Sequence, residues 1–214
     1  MMEANRKTLG STRCLKSLSC WIQLVSGLLA MSFGITLMLK ADIGMSPWGV
    51  FHLGICHQLN IPYGFTTQVV GFLLIVISYF IAKIKPHAGT IANMILIGFF
   101  IDYLFFPVIP LIHTLWRQII VFLFGIIISG MGTAIYLSAD LGAGPRDSLM
   151  MALYFATSKS IRFIRTTLEV SVLGVGFLLG GKAGIGTVIF SPVSYTHLRA
   201  HETSLHLVCR LLLE

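Results

Sequence analysis

Apolar residues dominate the chain in long runs, and polar residues punctuate it only at intervals. The runs predict helices over about 18–39, 66–82, 90–106, 118–137 and 166–179. Most approach the ~20 residues that a bilayer's hydrocarbon core demands. Two further apolar stretches, 48–59 and 146–158, are shorter and have the length of re-entrant or interfacial segments. Asn60, Pro62 and Gly64 form a turn cluster, and Pro86, Pro107 and Pro110 interrupt the pattern elsewhere.

A stretch that ends a long run occurs twice. It reads GITLMLKADIGMSP from Gly34 and GTAIYLSADLGAGP from Gly132. Gly34, Leu39, Ala41, Asp42, Gly44 and Pro47 recur as Gly132, Leu137, Ala139, Asp140, Gly142 and Pro145 at one constant spacing. Identity at fixed spacing is the signature of internal duplication. In each copy a long helix is expected to break beside a carboxylate, and a short apolar segment follows. Thr66-Thr67 and Thr166-Thr167 read as equivalent positions, as do Gly89-Thr90 and Gly186-Thr187. The expected organisation is a basic leader at 1–17, one membrane repeat at 18–110 and a second at 117–190. A sixth helix is expected to be cut short after Phe190.

Composition fixes the class. Apolar residues make up 56% of the chain and charged residues 11%. Soluble domains carry about a quarter charged residues. With a mean hydropathy of +0.87, the expected fold is all-α: a polytopic helical membrane protein, not a soluble globule. The net charge of +7 then speaks of topology and lipid headgroups. No basic run is interleaved with aromatics as a nucleic-acid surface requires.

From Val193 the character changes. Back-translated, residues 193–214 look like a transposase adapter followed by a flow-cell primer, so 193–214 are expected to be adapter-derived and not native. His197, His201 and Cys209 are excluded from functional reasoning on that ground.

Lys and Arg positions give an orientation. With six crossings and two non-crossing short segments, Arg6, Lys7, Arg13, Lys16, Lys83, Lys85, Arg146, Lys159, Arg162 and Arg165 share one side, against Lys40, Arg117 and Lys182. The positive-inside rule places the richer side, and the N-terminus, in the cytoplasm. Three crossings per half is odd, so the halves are expected to be inverted, as in many secondary transporters.

The stretch Leu141-Gly-Ala-Gly-Pro-Arg-Asp147-Ser-Leu149, with its weaker copy Ile43-Gly-Met-Ser-Pro-Trp-Gly49, resembles the YczE-like branch of the YczE/YyaS/YitT group of bacterial membrane proteins. The resemblance spans about residues 18–190. It implies a multi-pass inner-membrane protein with no established catalytic residues. The first copy has Gly49 where the second has Asp147, so a second carboxylate belongs to one half only.

Candidate chemistry is sparse. Asp42, Gly44 and Pro47 in one break, and Asp140, Gly142, Gly144, Pro145 and Asp147 in the other, are expected either to contact substrate or ion or to brace the turns. Asp102 and Glu169 are secondary intramembrane candidates. Arg165 and Glu169, one helical turn apart, form an expected ion pair, and Arg146 with Asp147 an expected surface pair. His52 and Cys56 share a helical face, but His57 is turned about 100° away, so no metal is expected. No nucleophile motif argues for an enzyme, and no cofactor is implied. The expected function is transport of a small molecule or ion, the alternative a non-transporting regulatory or scaffold protein in the membrane. The bilayer is the one partner that the pattern names, and it fixes no oligomeric state.

Overall fold

A computed structural model describes residues 18–157, 159–188 and 190. The expected leader at 1–17 and the expected adapter segment at 193–214 lie outside these residues. The described chain is helical. In order come α1 (Leu18–Ala41), α2 (Pro47–Leu59), α3 (Tyr63–Ala82), α4 (Ala88–Phe99, continuing as a π-helical turn over Phe100–Phe105), α5 (Leu115–Ser138), α6 (Pro145–Thr157) and α7 (Ile161–Leu178). By length and composition, α1, α3, α4 with its π-turn, and α5 are apolar enough to cross a membrane. The fifth expected crossing, α7, has 18 residues but carries Arg162, Arg165 and Glu169.

The centre of the bundle is the crossing of α1 and α5. Gly27 faces Gly132, and Gly34 faces Gly125. The numbers rise along one helix and fall along the other, so the two run antiparallel. A β-carbon on Gly34 would stand 2.6 Å from the Gly125 carbonyl oxygen, and one on Gly125 would stand 2.8 Å from that of Gly34. Only hydrogen fits between backbones this close, which is why membrane helices use small residues at crossings. Leu24, Leu28, Met38, Phe122 and Ile126 fill the core around the crossing. Phe72, Phe80, Leu115 and Phe177 point outward, the side chains that lipid tails would cover.

The other contacts come in matched pairs. α2 packs on α7 and α6 on α3; α2 also meets α3, and α6 meets α7. The Gly89 amide donates to the Leu141 carbonyl at 3.0 Å, and the Gly186 amide donates to the Ile43 carbonyl at 2.9 Å. The Thr90 hydroxyl donates to the Ala143 carbonyl at 2.6 Å, while the Thr187 hydroxyl accepts from the Met45 amide at 3.2 Å. The pairing of Gly89-Thr90 with Gly186-Thr187 thus holds in space. The pairing of Thr66-Thr67 with Thr166-Thr167 does not. α3 starts at Tyr63 and α7 at Ile161, so Ile164 stands where Thr66 stands. Both Thr66 and Ile164 are buried.

Helix starts also differ from the pattern. α7 begins five residues before the expected Thr166, because Ser160 caps it by accepting from the Phe163 amide at 3.3 Å. Arg162 and Arg165, which read as a basic loop, lie inside the helix.

Candidate functional site

Each break is built the same way. Asp42 and Asp140 adopt left-handed backbone with φ of 53° and 52°, and Gly44 and Gly142 follow at 132° and 122°. Aspartate is among the few side-chain-bearing residues that enter this region readily, and glycine does so freely. Pro47 and Pro145 then open α2 and α6, where a missing amide costs nothing. A β-carbon on Gly44 would press on Thr187, and one on Gly142 on His87 and Thr90. The motif is therefore a folding instruction first.

The aspartates do not cap the short helices that follow them. In the first break the cap is Ser46, which accepts from the Gly49 amide at 3.1 Å. Asp42 instead takes both bonds from the Lys182 amine, at 2.9 and 2.7 Å, in a half-exposed ion pair. Asp140 is exposed, and its carboxylate meets no hydrogen-bonding side chain among the described residues. Since α1 and α5 are antiparallel, Asp42 and Asp140 lie at opposite ends of the bundle.

A cavity of about 160 Å³ lies beside the first break, lined in part by Lys40, Asp42, Gly44, His57, Phe106 and Lys182. The Lys40 amine sits 3.6 Å above the Phe106 ring, a cation–π contact for a lysine that is only 7% exposed. Gly44, Met45 and His57 all reach this one cavity.

The two breaks meet at depth through the residues after their prolines. The Arg146 guanidinium carbon stands 5.1 Å from the Trp48 ring centroid. Trp48 and Arg146 are equivalent positions of the two repeats, the first non-proline residues of α2 and α6. Around them the helices place polar groups that no motif predicts. The Tyr136 hydroxyl donates to Asp147 at 3.4 Å. Asn93 and Tyr136 close over Gly144, where a β-carbon would stand 3.3 Å from the Tyr136 hydroxyl. His52, one turn beyond Trp48, is 2% exposed. It lies edge-on to Tyr63, with ring centroids 5.7 Å apart, and neither ring nitrogen has a hydrogen-bond partner among the described residues.

The expected Arg146–Asp147 surface pair is thus replaced by two separate partnerships inside the bundle. Successive helical residues point about 100° apart, so Arg146 turns to Trp48 while Asp147 turns to Tyr136. Glu169 takes the expected pair with Arg165, at 3.1 Å. Asp102 has a different role from the one its isolation suggests. Its carboxylate accepts from the Gly64 and Phe65 amides at 2.7 and 2.9 Å. It serves α3 as a cap lent by α4, since Pro62 at the start of α3 has no capping side chain. Among the described residues no cluster of three or more His, Cys, Asp or Glu side chains is placed to hold a metal.

Comparison with other proteins gives a family without an assigned activity. The family described as of unknown function, DUF6198, matches residues 18–192. The chain is 34% identical to the uncharacterized membrane protein YczE of Bacillus subtilis over 180 residues, covering 84% of this chain and 83% of YczE. It is 35% identical to an uncharacterized protein of Haemophilus influenzae over 168 residues, covering 78% and 76%. To the uncharacterized protein YyaS of Bacillus subtilis it is 27% identical over 165 residues, covering 76% and 82%. No solved structure matches it.

Proposed function

This chain belongs to the DUF6198 family of membrane proteins, and from that premise we propose that it is a carrier for a small solute, built of two inverted halves. The observation that carries the reading is the contact of Arg146 with Trp48. A residue pair that is equivalent under the repeat and also touches lies on the axis relating the halves. α1 and α5 are equivalent too, and they are antiparallel, so a twofold relating them is perpendicular to their length and lies in the membrane plane. Two broken helices that start at such an axis are the arrangement secondary transporters use for their substrates. On this reading the N-terminus is cytoplasmic, in a bacterial inner membrane, and the Asp42 and Asp140 breaks open toward opposite faces.

The test is flux. The full-length protein, reconstituted into liposomes, is given a panel of labelled small solutes with and without a proton or sodium gradient. Uptake above that of protein-free liposomes, abolished by Arg146→Gln with the fold intact, is the expected result. Folded protein that moves no solute sinks the carrier reading and leaves a membrane-embedded regulatory protein.

A further inference from the structure

We propose that Arg146 binds an oxyanion group, carboxylate or phosphate, on a small soluble solute at the meeting point of α2 and α6. The proposal rests on the carrier reading and names its substrate class.

Three observations converge. The first is the guanidinium itself. It stacks on Trp48, and its donors meet no oxygen acceptor among the described residues. Two carboxylates stand nearby without hydrogen-bonding it: Asp147 accepts from the Tyr136 hydroxyl, and Glu169 pairs with Arg165. A guanidinium is a planar fork of five donors that matches a carboxylate or phosphate two bonds at a time. Held inside a membrane bundle without such a partner, it is a functional group in waiting.

The second is His52. Buried polar atoms are almost always hydrogen-bonded, yet both its ring nitrogens are enclosed and, among the described residues, unpaired. Each such atom costs about 1–3 kcal/mol. A ligand oxygen entering between α2 and α6 would accept from the ring N–H. Trp48 and His52 are one turn apart on α2, so the face that carries the guanidinium also carries the imidazole.

The third is the backbone. α2 and α6 both begin here, and helix N-termini present free amides and positive dipole ends. Ser46 satisfies one amide of α2. The corresponding position in α6 is Gly144, which has no side chain to do so. Amides, guanidinium and the imidazole N–H offer donors to an oxyanion, beside one carboxylate, Asp147, in the first turn of α6.

Trp48 reports on the site directly. In full-length protein in detergent, Trp21, Trp116 and any tryptophan beyond the described residues are changed to Phe, which leaves Trp48 as the sole tryptophan. Its emission is titrated with acetate, succinate and inorganic phosphate, with chloride at matched ionic strength and short-chain phosphatidylglycerol as separate arms. The expected result is a saturable change with at least one soluble oxyanion and none with chloride. Arg146→Gln weakens it about tenfold or more, and Arg146→Lys, which keeps the charge but not the fork, gives an intermediate loss. Folded protein with no saturable response, a response equal in both variants, or a response to the lipid phosphate alone overturns the proposal. If Arg146→Gln does not fold, Arg146→Lys with His52→Gln decides: unchanged affinity in both overturns it. Oxyanion binding without flux removes the carrier reading and keeps the site. Flux of solutes lacking an oxyanion, insensitive to Arg146→Lys, does the reverse.

Discussion

Gly27 and Gly132 lie back to back where α1 crosses α5. A β-carbon on Gly27 would stand 2.5 Å from the Tyr136 amide nitrogen and 2.9 Å from the Gly132 carbonyl oxygen. The obstructing atoms are backbone and cannot swing away. Gly27→Ala and Gly132→Ala are therefore expected to destabilise by about 1–3 kcal/mol, as overpacking does. Gly130→Ala and Gly174→Ala, at positions with open space around them, are the controls and should be neutral or slightly stabilising in a helix. Thermal unfolding in detergent reads the difference.

Asp102 makes a prediction of the opposite kind. Two amides at the start of α3 depend on its carboxylate. Asp102→Ala leaves both without it and is expected to cost about 2 kcal/mol or more, near the upper end for a lost cap. Asp102→Asn keeps one acceptor oxygen and should recover about half of that loss. Full activity at matched protein levels in Asp102→Asn would confirm a structural role; lost activity with normal stability would return Asp102 to the transport candidates.

For the paired aspartates, backbone and charge separate cleanly. Asparagine tolerates left-handed backbone as aspartate does, so Asp42→Asn and Asp140→Asn should each shift stability by less than about 1 kcal/mol. Asp42→Asn also weakens the pair with Lys182, but a half-exposed pair is worth only about 0–1 kcal/mol. Asp42→Val and Asp140→Val, which put branched side chains where φ is positive, should cost more than about 1 kcal/mol. Uptake in the asparagine variants then isolates the charge. Its loss in a stable protein assigns coupling, and its persistence in both single variants and the double variant confines the motif to shaping the break.

Topology is testable with single cysteines. In a cysteine-free background, Asn60→Cys should react with an impermeant thiol reagent from outside, and Lys85→Cys only after the membrane is opened. The reversed pattern, Lys85→Cys reacting from outside and Asn60→Cys only after the membrane is opened, would mean that α2 crosses, and the inverted arrangement would fall with it.

The breaks were legible because their residues do something no others do well. Asp in left-handed backbone, Gly at positive φ and Pro at a helix start leave a literal trace, and the trace occurs twice. The Asp102 cap left none: its partners are 38 residues away in the chain, and the one local hint is that Pro62 brings α3 no capping side chain. Arg146 on Trp48 was hidden for a subtler reason. A repeat is found through identities, and this contact joins equivalent positions that are not identical. His52 left no trace either: its buried place beside Tyr63 depends on α3, which lies after it in the chain.

On the inverted-repeat reading, the contact of Arg146 with Trp48 has a consequence for descent. A residue on a twofold meets its own copy. Had the halves once been separate and identical chains, arginine at this place would have faced arginine across a few ångströms of low-dielectric interior, and tryptophan would have faced tryptophan. The stacked Arg146–Trp48 pair is open only to halves free to mutate apart. On the inverted-repeat reading, joining the two halves in one chain was the step that allowed a lone cation to stand at the centre.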